Sequence, residues 1–130
     1  MDKIYISWQE VEDAIAAIAD QIKAKNIKIN FIKGVQRGGL VPAVLLSHKL
    51  NIPMISNGVM SDDVLVVDDI CDSGQTIADL KNYKCYTATI HHKQSATATP
   101  DFYHSLVPED KWIVYPWEQR DSETIQDYLK

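Results

Sequence analysis

The fold is decided by one stretch of sequence, Val64-Leu65-Val66-Val67-Asp68-Asp69-Ile70-Cys71-Asp72-Ser73-Gly74-Gln75-Thr76. Its first four residues are apolar and mostly β-branched, a pattern typical of a strand buried on both faces of a parallel sheet. Its last four residues lead into the apolar periodicity of a helix, so the stretch predicts strand, loop and helix. In parallel sheets of this kind, ligands bind beyond the carboxyl ends of the strands. The loop is therefore a candidate ligand site.

This loop combines two acids with small residues that can bind an anion. Asp68 and Asp69 are adjacent, and two buried ionised carboxylates need a compensating cation or ligand hydroxyl groups. A ribose diol with Mg²⁺ would supply both. Residues 73–76 bring backbone N–H groups, hydroxyls and a helix N-terminus to one place, where a phosphate could lie. An ordinary capped helix with Asp72 or Ser73 as N-cap is the alternative, although it explains neither the acid pair nor the glycine.

A second candidate anion loop lies upstream. An apolar strand around Phe31 and Ile32 leads into Val35-Gln36-Arg37-Gly38-Gly39-Leu40-Val41-Pro42. Consecutive glycines allow close backbone approach to an anion, and Arg37 adds a fixed charge with several donors. Pro42 suits the first turn of a following helix. Taken alone, Arg-Gly-Gly is a common structural loop, but the two loops corroborate each other as anion sites.

The 64–76 stretch closely resembles the phosphoribosyl-pyrophosphate (PRPP) signature of the type I phosphoribosyltransferases, and every residue class of that signature is matched. The resemblance implies that Asp68 and Asp69 hold the ribose hydroxyls and the cofactor Mg²⁺. It implies a 5′-phosphate loop made of Asp72, Ser73, Gly74, Gln75 and Thr76, in which Asp72 is also the catalytic acid/base partner of the purine. It further implies a pyrophosphate loop made of Gln36, Arg37, Gly38 and Gly39, with a non-proline cis peptide near Gln36 and Arg37.

Three segments bring the resemblance closest to the bacterial xanthine-guanine, or 6-oxopurine, members of the family: the Arg37 loop, Thr89-Ile90-His91-His92-Lys93 and Trp112-Ile113-Val114-Tyr115-Pro116-Trp117-Glu118. The resemblance implies that Lys93 contacts the purine 6-oxygen, that Trp112 and Ile113 stack on the ring and contact it, and that Glu118 helps to bind the base. Without the resemblance, Trp112 reads as a core or interface aromatic, and Lys93 as a solvated surface residue. We assign His91 and His92 no role, and their spacing does not suggest a zinc site.

The chain departs from the family pattern in two places. Members usually carry a long flexible hood before the PRPP strand, whereas here only residues 57–63 separate Ser56 from Val64, so we expect an absent or minimal hood. Lids exclude water, and a missing lid predicts slow turnover, hydrolysis of PRPP or a lid from a neighbouring subunit. Val114 stands where the close relatives have an acid, which leaves contacts at the purine 2-position to Ile113 and Glu118.

Composition limits the remaining classes. The chain has 130 residues, 45% of them hydrophobic and 24% charged, which predicts a single domain over 1–130 with a substantial core. A net charge of −5 argues against a nucleic-acid or membrane surface, which would need a basic face. We see no secretory or membrane-spanning segment and expect a cytoplasmic location, with Cys71 and Cys85 reduced and packed in the core.

The alternation of apolar segments predicts an α/β fold with a mainly parallel sheet flanked by helices, and the resemblance implies the Rossmann-like type I phosphoribosyltransferase fold. A capping box at Ser7 and Glu10 starts a first helix with an apolar stripe. Strands are predicted at 29–35, 53–56, 64–67, 85–90, 102–107 and 112–114, and further helices at 41–50, 76–82 and 122–129.

The function implied by the resemblance is Mg²⁺-dependent transfer of the 5-phosphoribosyl group from PRPP to a purine such as guanine, xanthine or hypoxanthine, releasing pyrophosphate, in purine salvage. A regulatory protein of the same fold, which binds PRPP or a nucleotide with little or no transferase activity, is the alternative that the short hood favours. The implied partners are PRPP and a purine base, with no nucleic acid and no membrane, in a homodimer or homotetramer.

Overall fold

The computed structural model describes residues 2–56, 58 and 60–118 of the chain. In these residues the chain forms six strands and three helices, in the order β1 (Asp2–Tyr5), α1 (Trp8–Lys25), β2 (Phe31–Gly34), α2 (Leu40–Leu50), β3 (Val64–Cys71), α3 (Gln75–Lys81), β4 (Tyr86–Lys93), β5 (Phe102–Val107) and β6 (Lys111–Val114). Across the same residues, none of the helices has the length and apolar character needed to cross a membrane.

The central sheet has four strands in the order β2-β3-β4-β5, and each neighbouring pair is parallel. The apolar run that begins β3 is buried on both faces, with Val64, Leu65, Val66 and Val67 at most 2% exposed. The α/β fold with a parallel sheet flanked by helices is therefore confirmed. Because parallel strands end at one edge of a sheet, the loops that follow β2, β3 and β4 come together there.

Helix α1 covers one face of the sheet and begins where the sequence predicts. The Ser7 side chain accepts a hydrogen bond from the Glu10 N–H, and the Glu10 carboxylate accepts one from the Ser7 N–H, which completes the capping box. Its buried stripe packs with α2 and the central strands in the main core; the helix contributes Val11, Ala14, Ile15, Ile18, Ala19 and Ile22. Asn26 ends the helix in the left-handed conformation, at φ 53°.

A separate two-stranded sheet joins the two ends of the described chain. β1 pairs with β6 in parallel, so that Lys3 lies opposite Trp112 and Ile4 opposite Ile113. The Ile6 N–H continues this pairing by donating to the Val114 carbonyl at 2.9 Å. The sequence predicts β6 but not β1, because the four residues of β1 are exposed and show no alternation of apolar and polar residues.

Other boundaries differ from the prediction. Residues 53–56 do not form a strand: they make one isolated bridge between Ile32 and Met54, and Pro53 has no N–H to donate to a longer ladder. β3 and β4 run farther than predicted, to Cys71 and Lys93. The described residues between Met54 and β3 contain no helix or strand, which agrees with the expected lack of a long hood. The helix predicted at 122–129 lies outside the described residues.

Candidate active site

The acid pair lies in the last half of β3, at the edge of the sheet where the loops meet. The Asp68 carboxylate accepts a hydrogen bond from the Asp69 N–H at 2.8 Å, and the Asp69 carboxylate accepts one from the Ile70 N–H at 2.7 Å. Burial raises the pKa of both carboxyl groups, and the charge of Asp69 raises the pKa of Asp68 further. A positive charge close to the two carboxylates would therefore stabilise their ionised forms.

The predicted pyrophosphate loop touches the acid pair through its glycines. A Cβ at Gly38 would overlap the Asp69 carboxylate, and a Cβ at Gly39 would overlap the Val67 carbonyl oxygen. Only glycine therefore leaves room for the loop at this distance from β3. The peptide bond between Gln36 and Arg37 is cis, as the family resemblance implies. The structure thus brings the upstream anion loop into direct contact with the acid pair.

The predicted 5′-phosphate loop runs from the end of β3 into α3. Gly74 adopts φ 94°, and a Cβ there would lie 2.6 Å from the Ala98 nitrogen, so this position also requires glycine. The Ser73 hydroxyl accepts a hydrogen bond from the Gln75 N–H at 3.2 Å. Thr97 donates to the Ser73 carbonyl from both its N–H and its hydroxyl, at 2.9 and 3.1 Å. The loop after β4 therefore packs on the phosphate loop and holds it in place.

Cys71 lies within this motif but has the surroundings of a core residue. It is buried, and its thiol donates to the Ala98 carbonyl at 3.3 Å. Burial, together with the charges of Asp68 and Asp72, raises its pKa to about 11. The thiol therefore stays protonated at neutral pH and is a poor nucleophile, as the sequence indicates.

Lys93 is buried at the end of β4, which excludes its reading as a solvated surface lysine. Its side chain is 7% exposed, and its ammonium group donates to the Lys111 carbonyl at 2.7 Å and the Glu109 carbonyl at 3.1 Å. The same nitrogen lies 3.9 Å from a carboxylate oxygen of Asp72, whose side chain is 68% exposed. Two carbonyls thus fix a positive charge beside the phosphate loop.

The segment predicted to bind the base comes to this edge from the separate sheet. Trp112 is half-buried and Ile113 is 8% exposed, both on β6. The Glu118 carboxylate accepts a hydrogen bond from the Tyr115 N–H at 2.8 Å. Burial raises the pKa of Glu118, the charge of Asp69 raises it further, and Arg37 lowers it. Glu118 therefore lies within electrostatic reach of the acid pair and of Arg37, in addition to its position after β6.

Two residues that the sequence leaves without a role connect this segment to the acid pair. The Tyr115 hydroxyl donates to the Asp69 carbonyl at 3.0 Å and lies 2.8 Å from Nδ1 of His91. Trp117 stacks on the Tyr115 ring, with centroids 4.8 Å apart, and packs against the main core. No local pattern marks Tyr115 or His91, because their contacts join three segments that are distant in the sequence.

The acid pair has the donor chemistry of an Mg²⁺ site. Among the described residues, no group of three or more His, Cys, Asp or Glu side chains could hold a metal alone. Mg²⁺, however, is usually bound by one or two carboxylates together with waters and substrate phosphates. The raised pKa values of Asp68 and Asp69 reflect a desolvated acid pair that a cation would stabilise. These two residues therefore fit a magnesium ion shared with a phosphorylated substrate.

Comparisons with known proteins identify relatives over nearly the whole chain. No protein-family model matches it. It is 30% identical over 142 residues to xanthine-guanine phosphoribosyltransferase from Idiomarina loihiensis, which covers 89% of this chain and 87% of that protein. Xanthine-guanine phosphoribosyltransferase from Desulfotalea psychrophila is 29% identical, over 87% of this chain and 84% of that protein. Among solved structures, purine phosphoribosyltransferase from Pyrococcus horikoshii superimposes with a TM-score of 0.79 and 32% identity, covering 97% of this chain and 99% of that one.

Proposed function

Because this chain belongs to the purine phosphoribosyltransferase family, we propose that it transfers the 5-phosphoribosyl group from PRPP to a 6-oxopurine and releases pyrophosphate, with Mg²⁺ as cofactor. The observation that carries the proposal is that residues of four predicted subsites meet in two pairs at one edge of the sheet. Gly38 abuts the carboxylate of Asp69, and the ammonium of Lys93 lies 3.9 Å from Asp72. One PRPP molecule, which carries phosphate, ribose and pyrophosphate, could contact Gly38, Asp69 and Asp72. A purine bound beside it could contact Lys93.

The PRPP half of the proposal rests on the two anion loops and the acid pair. The 5′-phosphate is assigned to the loop from Asp72 to Thr76, whose conformation depends on Gly74 and on Thr97. Pyrophosphate is assigned to Gln36, Arg37, Gly38 and Gly39. Asp68 and Asp69 are assigned to the ribose hydroxyls and to the metal. When bound there, Mg²⁺ supplies positive charge that offsets the charge of PRPP and of the departing pyrophosphate.

The base half of the proposal rests on Lys93 and β6. An ammonium held by two carbonyls is a suitable donor to a purine 6-oxygen and a poor partner for the 6-amino group of adenine. The half-buried indole of Trp112 offers a face on which a flat ring can stack. Ile113, through its backbone, and Glu118 are the remaining candidates for contacts with the base.

The chemistry required of the chain is alignment and charge stabilisation. Positive charge grows at the anomeric carbon as the bond to pyrophosphate lengthens, and negative charge grows on the leaving group. Arg37 and the loop amides are assigned to stabilise the leaving group, and the base residues are assigned to hold the purine nitrogen on the opposite side. Asp72 is assigned as the group that exchanges a proton with the imidazole part of the purine. Its exposed carboxylate can move and can exchange protons with water.

A homodimer or homotetramer in the cytoplasm, acting in purine salvage, completes the proposal. The names of the relatives describe phosphoribosyltransferases, and none of those quoted above describes a regulatory protein. The short hood is the sequence feature that favours the regulatory alternative. The assay that tests for transferase activity also distinguishes the enzyme from a regulatory protein.

The test is pyrophosphate release from PRPP and Mg²⁺ with guanine, xanthine, hypoxanthine, adenine or no base. We expect release that depends on a 6-oxopurine, that is lost in the double variant Asp68→Asn/Asp69→Asn and that is retained in the control Asp20→Asn on the exposed side of α1. Asp72→Asn should keep PRPP binding but slow transfer by a factor of about 10² or more. Release without a base would indicate hydrolysis, and PRPP binding without release would support the regulatory alternative.

A further inference from the structure

Two buried titratable side chains at the site have no part in the proposed chemistry. Tyr115 is 2% exposed and His91 is 8% exposed. Their polar atoms form a chain that runs from His91 Nδ1 to the Tyr115 hydroxyl, at 2.8 Å, and on to the Asp69 carbonyl, at 3.0 Å. These two hydrogen bonds therefore end at the backbone carbonyl of Asp69, one of the two acids assigned to Mg²⁺ and ribose.

The direction of these hydrogen bonds follows from the atoms involved. A carbonyl oxygen only accepts, so the single hydroxyl hydrogen of Tyr115 must point to Asp69. The hydroxyl oxygen then accepts from His91, which must carry its hydrogen on Nδ1. A hydroxyl that accepts one hydrogen bond becomes a stronger donor in the next. His91 thus strengthens the bond that Tyr115 makes to Asp69.

His91 and Tyr115 both stay uncharged over the physiological pH range, so both hydrogen bonds can persist. Burial and the nearby His104 lower the pKa of His91 to about 4, although Glu10 acts in the opposite direction. The imidazole is therefore neutral. The buried Tyr115 hydroxyl faces a carbonyl oxygen at 3.0 Å, which it can only meet as a protonated donor. No ionisation interrupts the chain near neutral pH.

The main chain of Tyr115 is held by Glu118, and its ring is held by Trp117. Its N–H donates to the Glu118 carboxylate at 2.8 Å, and its carbonyl accepts from the Glu118 N–H at 3.0 Å. Its ring stacks on Trp117 with an angle of 3° between the planes. A side chain so fixed can define the position of the strand it contacts. On β3, the Asp69 carboxylate also occupies the place where a Cβ of residue 38 would lie, which Gly38 leaves free.

We propose that Tyr115, supported by His91, is a positioning residue. It holds the Asp69 main chain so that the two carboxylates of the acid pair are correctly placed to bind PRPP and Mg²⁺. The inference rests on the proposed function, since it concerns the same ligand. The proposal predicts different effects on the binding of Mg²⁺·PRPP and on the binding of the purine. Loss of the hydroxyl weakens binding of Mg²⁺·PRPP, while purine binding changes little because β6 stays paired with β1 and Lys93 keeps its two carbonyl partners.

The first test compares Tyr115→Phe with the control Tyr86→Phe in the full chain. Tyr86 is half-buried on β4, its ring lies 6.4 Å from Phe102, and its hydroxyl has no hydrogen bond to any residue that the structure describes. Calorimetric titration with PRPP and Mg²⁺ should give a dissociation constant about three- to tenfold higher for Tyr115→Phe, as expected for one lost neutral hydrogen bond. The control should match the wild type, and KM for the purine should change less than about twofold in both variants.

The second test separates a hydrogen-bonded chain from general packing. His91→Leu removes the donor, and we expect it to weaken Mg²⁺·PRPP binding about threefold in the wild-type background and not at all in the Tyr115→Phe background. His91→Asn supplies an N–H near the position of Nδ1 and should restore most of the affinity. If Tyr115→Phe does not fold, the comparison of His91→Leu with His91→Asn still decides the question.

The outcomes separate this inference from the proposed function. A wild-type protein that does not bind Mg²⁺·PRPP refutes the proposed function. A wild-type protein that binds, together with a folded Tyr115→Phe variant of equal affinity, refutes only the positioning role. Additive losses in the double variant, or equal affinities of His91→Leu and His91→Asn, also refute it, because independent packing defects add.

Discussion

Replacing Lys93 by methionine tests the base site most directly. Methionine keeps most of the buried apolar stem but removes the ammonium group and its charge. Lys93 donates to the Lys111 and Glu109 carbonyls at 2.7 and 3.1 Å, and both bonds are lost. The positive charge beside Asp72 is lost with them. The substitution should therefore affect stability and base selection separately.

The size of each effect follows from these contacts. Each hydrogen bond from a charged donor contributes about 1.5–3 kcal/mol, but the burial of the ammonium costs part of that sum. We expect a net loss of about 2 kcal/mol in the free energy of unfolding. The same range for one bond to the purine 6-oxygen corresponds to a fall of about 10- to 100-fold in the kcat/KM ratio of hypoxanthine to adenine.

Urea denaturation and steady-state kinetics with both bases measure the two effects. The control is Lys23→Met on the exposed side of α1, which should change the free energy of unfolding by less than about 1 kcal/mol and leave the base ratio unaltered. A folded Lys93→Met variant with a base ratio within about twofold of the wild type would refute the assignment of Lys93 to the 6-oxygen. A stability equal to that of the control would refute the structural part of the argument.

Three further predictions concern the acid pair and its surroundings. Gly38→Ala should weaken Mg²⁺·PRPP binding by more than about tenfold in calorimetry, because the added methyl group takes the place of the Asp69 carboxylate; unchanged affinity would contradict the contact. Asp69→Asn should abolish that binding yet raise the melting temperature of the ligand-free protein at pH 7, because it removes the charge that raises the pKa of Asp68; a lower melting temperature would argue against repulsion. His91 is neutral in the folded protein down to a pKa of about 4, whereas the unfolded chain binds its proton below about 6.5, so protonation favours unfolding between these values. Between pH 7 and pH 4, the stability difference between wild type and His91→Leu, measured by urea denaturation, should fall by about 3 kcal/mol; a difference independent of pH would show that the imidazole titrates normally.

Much of the candidate site can be predicted from the sequence because its parts are contiguous. In the 64–76 stretch, a buried strand, two acids, a glycine at positive φ and the start of a helix follow one another, and each has a local physical signature. The same holds for the glycines of the upstream loop and for the capping box of α1. Such features depend on neighbouring residues, so a reading of the chain in order is sufficient to find them.

The tertiary structure alone decided how the base segment meets the acid pair. β1 and β6 pair although Asp2 and Lys111 are far apart in the chain, and four exposed residues give no sign of that partner. Lys93 is buried because carbonyls of the turn before β6 and of β6 itself accept its hydrogen bonds, and a backbone carbonyl has no sequence signature. Tyr115 acts on Asp69 across the fold. Contacts between distant segments depend on how whole elements pack, and hydrophobic periodicity records only which face of an element is buried, not which partner covers it.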